Sequence, residues 1–219
     1  MSEEIREINR RLKQHFGEAP RPEKQSGVDY LVETILSQNT NDINRDKAFK
    51  KLKEYYESWE DVESADREEL TDVIRVAGLG PTKAERIQES LRITREEVGE
   101  YNLDFLNDLS IEDAKTWLED IPGIGPKTAA IILCFHFDRP VIPVDTHVHR
   151  VSKRLGLIPE STSRKKAHKL LDEKVPDDIK YEFHRLLIEY GRKYCKARHP
   201  KCMEGPLSDL CEAHNRKEK

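Results

Sequence analysis

The chain has 219 residues, enough for one large or two small domains. Its apolar content is 36% and its charged content 37%, and the longest apolar run, Ala129 to Phe135, is far too short to cross a membrane. A net charge of −4 argues against a generic polyanion binder, but between Thr146 and Lys201 15 basic residues face 7 acidic ones, which suits a one-sided phosphate-binding face as well as it suits a set of solvated helical faces.

Met1-Ser2-Glu3-Glu4-Ile5-Arg6 carries no apolar signal region, so a soluble, cytoplasmic protein with no targeting segment is expected. Residues 4–16 predict an amphipathic helix through Ile5, Ile8, Leu12 and Phe16. A break containing Pro20, Pro22 and Gly27 precedes a second helix, apolar at 28, 31, 32, 35 and 36. That helix stops in a polar cluster, Ser37-Gln38-Asn39-Thr40-Asn41-Asp42. Helices are expected at 45–57, with Ala48, Phe49, Leu52 and Tyr56 inward, and at 66–76. Ala77-Gly78-Leu79-Gly80-Pro81-Thr82-Lys83-Ala84 follows, either a phosphate-gripping turn or a tight connection between helices.

Further helices are expected at 83–98 and at 110–119, where Ser110 is the cap and Trp117 a core residue. Asp120-Ile121-Pro122-Gly123-Ile124-Gly125-Pro126-Lys127-Thr128-Ala129 then reads as a helix, a glycine turn and a second helix. Gly123 and Gly125 permit backbone angles that a Cβ would forbid, and amides uncovered beside a helix start suit one phosphate. Lys127 stands in the first turn of that second helix, where the helix dipole disfavours a cation and some other reason is needed. Lys127 to Phe137 predicts a central helix buried all round, with Cys134 an inert core thiol. Two prolines keep 139–143 extended, Asp145 is a good N-cap, and helices are expected at 145–155, 163–173 and 178–191. No strand-period alternation occurs, so the fold is expected to be all-α.

Three of the four cysteines, Cys195, Cys202 and Cys211, cluster near the C-terminus, a pattern of metal ligation and not of a secreted disulfide framework. His147 and His149 would point to nearly opposite sides of a helix, so helix packing and phosphate contact are expected of them in place of a shared metal.

The 120–130 hairpin, the Val144-Asp145-Thr146-His147-Val148-His149-Arg150 segment and the cysteine cluster together resemble the endonuclease III family of helix-hairpin-helix DNA glycosylases. The resemblance implies two helical domains. One is a six-helix block over 22–139. In the other the N-terminal residues 1–21 join 140–219, with DNA in the cleft between the two. It implies Lys127 as nucleophile and Asp145 as catalytic carboxylate. DNA contacts are implied at Gly123, Gly125, Thr128 and His147, and at Lys196 and Arg198 of the cysteine loop. Ser37-Gln38-Asn39-Thr40 matches the segment that fills the gap left by an extruded base, with Asn39 at the inserting position where glutamine is better known. Leu79 matches an apolar wedge.

The family's iron–sulfur loop is C-x6-C-x2-C-x5-C, whereas this chain spells C-x6-C-x8-C with Gly205 at the third ligand position. Thiolates normally complete all four positions of a [4Fe–4S] cluster. Either a cluster is held by three thiolates with water, His199, His214 or Asp209 as fourth ligand, or the cysteines are relics in a loop closed by packing.

The function implied is a bifunctional DNA glycosylase and abasic-site lyase of base excision repair. It would act as a nucleoid-associated monomer on double-stranded DNA carrying oxidised pyrimidines or abasic sites. Two other readings stay open on these residues: an alkylated-purine or mismatch glycosylase on the same scaffold, and a non-catalytic DNA-binding hairpin protein.

Overall fold

The computed structural model describes residues 2–21, 23–211 and 213. Pro22 and His214, a domain boundary and a ligand alternative in the sequence, lie outside the described residues. The described residues form α-helices and short 3₁₀ turns, with no strand among them. In chain order the helices are α1 (Ser2–Phe16), α2 (Gly27–Ser37), α3 (Asp42–Tyr55), α4 (Trp59–Ser64), α5 (Arg67–Val73) and α6 (Gly80–Val98), then α7 (Ile111–Asp120), α8 (Pro126–Ile131), α9 (Thr146–Arg154), α10 (Arg164–Lys174) and α11 (Lys180–Lys193). They fall into two compact units, Glu23–Ile132 and Met1–Pro22 with Leu133–Lys219.

Side-chain caps set most helix starts, because the first N–H groups of a helix have no partner inside it. Ser26 accepts from Asp29 N, Asn41 from Asn44 N and Ser110 from Asp113 N. Ser58 and Asp61 form a reciprocal capping box that starts α4, a short helix the periodicity did not reveal. In the Glu23–Ile132 unit α6 packs against α2, α4 and α5. Gly80 opens α6 where a Cβ would lie 2.9 Å from Thr71 Cγ2, so the close approach of α5 there requires glycine. Trp117 is half-buried, not a core residue. Its indole N–H donates to Glu97 Oε2 at 2.6 Å and its ring stands edge-on to Phe105.

The central apolar helix expected over 127–137 is interrupted. α8 passes after Ile131 into a π turn, Ile132–His136. In the wider turn the Leu133 carbonyl accepts from Arg139 N at 2.9 Å, and the Cys134 carbonyl accepts from Arg21 at 3.1 Å. Cys134 itself is buried, which pushes its thiol up to about 12.

In the other unit α1 lies on α11, and α11 on α9. Ile5, Ile8 and Leu12 enter a core with Val148, Val151, Leu171, Phe183 and Leu187. Burying those three α1 side chains stabilises the docking by about 4–9 kcal/mol. The ion pairs Arg6–Asp178 and Arg11–Asp209 lie at the solvent edge of this packing, where water screens them. The apolar face of α1 therefore decides where the N-terminal helix goes.

Candidate nucleic-acid interface and active site

Three loops of the Glu23–Ile132 unit carry most of the candidate residues. The first follows α2. Asn39 is exposed at its tip and has a left-handed backbone, φ 53°. Such a φ is uncommon for a residue with a side chain. Its neighbour Gln38 is engaged at both ends of its amide. Gln38 Nε2 donates to the Gly123 carbonyl at 3.0 Å, and Gln38 Oε1 accepts from Arg86 at 2.6 Å. Gln38 thus serves as a strut inside the unit, beside the Asn39 tip.

The second loop precedes α6. Gly78 has φ 70° and Leu79 φ 52°, and the Leu79 side chain is 57% exposed. The third is the hairpin between α7 and α8. Gly123 has φ 87°, and a Cβ there would fall 2.5 Å from the Arg86 side chain, so both backbone angle and space require glycine. Gly125 is different. Its backbone is extended and nothing lies within 4 Å of a built Cβ, so the steric reason expected for it does not hold. It serves as the N-cap of α8, with Pro126, Lys127 and Thr128 in the first turn. Ile124 is buried. The Lys127 side chain is exposed.

The Asp145 carboxylate, in the other unit, is half-buried and Oδ1 accepts from Val148 N at 2.7 Å, capping α9. The two histidines that follow have separate partners. His147 Nδ1 lies 3.0 Å from Arg150 Nη2, and His149 Nε2 lies 2.8 Å from the Thr162 carbonyl. Burial holds the His147 pKa below the usual histidine range.

Farther along α9, arginines hold the cysteine loop by its carbonyls. Arg150 Nε donates to Cys195 O at 2.8 Å, Arg154 Nη1 to Lys196 O at 2.7 Å and Arg154 Nη2 to Ala197 O at 3.3 Å. The Lys196, Arg198 and Lys201 side chains are exposed. These arginines escaped sequence reasoning; their i, i+4 spacing on one helix was the available signal.

Cys195, Cys202 and Cys211 do not assemble a four-thiolate site. Among the described residues no group of three or more His, Cys, Asp and Glu side chains stands ready for a metal. The position without a thiolate, the third, is Gly205, where a Cβ would meet Tyr190 Cε2 at 3.0 Å and Tyr194 Cγ at 3.2 Å. Tyr190 is buried, and its hydroxyl pKa is raised, first by that burial and then by the three surrounding thiols. Of the alternative ligands, Asp209 is paired with Arg11 at 2.8 Å, and His199 is exposed. Tyr190 and Tyr194 thus stand against the third position of the loop, and the described residues offer three thiolates, not the four that normally hold a [4Fe–4S] group.

A glycine-bent hairpin with a lysine in its second helix, a capped aspartate and an all-α frame define a helix-hairpin-helix DNA repair protein. Residues 32–177 match the model of the HhH-GPD superfamily of base excision DNA repair proteins, and the chain belongs to that family. It is 37% identical over 216 residues to endonuclease III of Thermotoga maritima, covering 98% of this chain and 95% of that one. It is 38% identical over 170 residues to a putative DNA glycosylase of Arabidopsis thaliana, covering 78% of this chain but 58% of that longer protein. A solved structure of a trapped endonuclease III–DNA covalent intermediate superposes with a TM-score of 0.80 at 30% identity, covering 100% of this chain and 99% of that one. No described helix is long and apolar enough to cross a membrane.

Proposed function

We propose that this base excision DNA glycosylase is also an abasic-site lyase, with Lys127 as nucleophile and Asp145 as its carboxylate partner. The observation that carries the reading is the exposed Lys127 amine in the first turn of α8, held by the glycine hairpin. The glycosidic carbon is unreachable inside a stacked duplex, so the damaged nucleotide leaves the stack first, at a cost of a few kcal/mol. Asn39 and Leu79 offset that cost by entering the gap, Leu79 as an apolar wedge. Gly123, Gly125 and Thr128 at the hairpin, His147, and Lys196 and Arg198 of the basic loop take phosphates of the strand.

The neutral Lys127 amine then attacks C1′ of the deoxyribose as the C1′–N bond to the base breaks. Asp145 Oδ1 is held by its cap bond, which leaves Oδ2 to take a proton from the amine and to stabilise the positive charge that develops on the sugar. Ring opening gives a Schiff base between Lys127 Nζ and C1′. Loss of a C2′ proton expels the 3′ phosphate by β-elimination, and water releases the enzyme. The substrates are oxidised pyrimidines and abasic sites in duplex DNA, and the protein acts as a monomer.

Borohydride reduces such a Schiff base to a stable amine. Incubation with abasic-site duplex and borohydride is expected to give a covalent adduct that Lys127→Ala abolishes, with cleavage down about 10³-fold or more. No adduct from the parent protein, or one that survives Lys127→Ala, overturns the reading.

The cysteine loop, on this reading, is closed by Tyr190 and Tyr194 and keeps its basic side chains in place without a cluster. Protein purified without oxygen is then expected to lack both stoichiometric iron and iron–sulfur absorbance. Four iron atoms per chain would refute this.

A further inference from the structure

Lys83 is a buried cation that the proposed reaction does not use. It is 1% exposed, and its ammonium donates to two main-chain carbonyls, Leu36 O at 2.7 Å and Ala77 O at 2.8 Å. Burial, followed by the neighbouring Arg86 cation, holds its pKa below the usual lysine range. The two carbonyls are not arbitrary acceptors. Leu36 lies in the last turn of α2, and Ala77 ends the 3₁₀ turn Arg75–Ala77. Both are helix ends, where carbonyls lack intrahelical partners and a positive charge is favoured. One ammonium therefore caps two chain segments whose exits lead directly to Asn39 and to Leu79.

Those two exits share a further property. Asn39 and Leu79 both have left-handed backbones, at φ 53° and 52°, and both are exposed at loop tips. A strained, exposed residue persists only where its surroundings over-determine it. The hairpin is tied to the same helix one turn on. Arg86 donates to Gln38 Oε1 at 2.6 Å, Gln38 donates to Gly123 O at 3.0 Å, and the Arg86 side chain lies against Gly123. Lys83 and Arg86 stand three residues apart on one face of α6.

We infer that Lys83 and Arg86 are positioning residues, a cross-brace on α6 that sets the Asn39 tip, the Leu79 tip and the 122–125 hairpin in fixed register so that they act on the duplex together. Neither residue touches the reacting atoms. The inference rests on the wedge reading of Asn39 and Leu79 but not on Lys127 chemistry, which allows the two to be tested apart.

The probe is a duplex with 2-aminopurine opposite a tetrahydrofuran abasic analogue, which cannot form a Schiff base. Saturating parent protein is expected to raise the 2-aminopurine fluorescence as the tips enter and unstack it. Lys83→Met is expected to lose that rise at saturation and to cleave a true abasic duplex about 100-fold more slowly, chiefly in kcat. Arg86→Met, on a half-buried side chain whose loss leaves the core intact, is expected to lose part of the rise, and Lys83→Arg to restore part of it. A role in stability alone would lower Tm and leave the amplitude at saturation unchanged. Full amplitude in both methionine variants, or in Arg86→Met alone should Lys83→Met not fold, overturns the brace, as does a parent protein that gives no rise. A parent that gives the rise but no borohydride adduct refutes the lyase reading and leaves the brace standing.

Discussion

Two stretches of one unit are written in nearly the same letters and end up inside out relative to each other. Gly78-Leu79-Gly80-Pro81-Thr82-Lys83-Ala84 and Gly123-Ile124-Gly125-Pro126-Lys127-Thr128-Ala129 differ mainly in the order of lysine and threonine. In the first the aliphatic residue is outside and the lysine inside: Leu79 is 57% exposed and Lys83 1%. In the second Ile124 is 4% exposed and Lys127 is on the surface. Moving the lysine by one position turns it by about 100° around the helix. That rotation separates a structural ammonium, spent on carbonyls, from one left at the surface.

Substitutions at matched positions test this inversion. Ile124→Ala should have the largest effect, about 2–5 kcal/mol of stability, because it empties a buried site. Leu79→Ala, its counterpart, should change stability by about 0.5 kcal/mol or less while reducing the fluorescence rise. Equal losses of Tm in the two variants would mean that the hairpins do not differ in the way described. Gly123→Ala comes next, at about 1–2 kcal/mol for a side chain forced into a left-handed backbone. It should also displace Arg86 and so share the reduced fluorescence rise of Arg86→Met. Of the two glycine variants Gly125→Ala should cost less, about 0.5 kcal/mol, since an extended N-cap with open space loses only the preference for glycine over alanine. Chemical denaturation of the four variants orders them, and a Gly125→Ala loss as large as that of Gly123→Ala would contradict the geometry.

Much of this was legible in the residues. The apolar spacing gave the helices because each buries one face, and Ser110 and Asp145 mark helix starts that capping chemistry requires. Gly123 could be picked out because so few residue types suit a left-handed turn, and Lys127 because the helix dipole disfavours a cation in a first turn. What escaped was decided by partners distant in sequence. Periodicity shows that α1 has an apolar face but not that α11 covers it. Gln38 looks like a polar loop residue until Arg86 and Gly123 close on either side of it. Lys83 carries no local mark of burial, since a lysine goes inside only where acceptors await it, and those acceptors come from α2 and the turn before α6. The π turn depends on carbonyls recruited by Arg21 and Arg139, which no window of the apolar run contains.

The short helix α9 has a mechanical consequence. Asp145 caps its first turn, and Arg150 and Arg154 clasp the loop that bears Lys196 and Arg198. From the cap to Arg154 is about 13.5 Å of rigid rod. Any displacement of that loop therefore drags the carboxylate with it, so the basic loop and the Asp145 cap travel as one piece, like the two jaws of a caliper locked at a set opening.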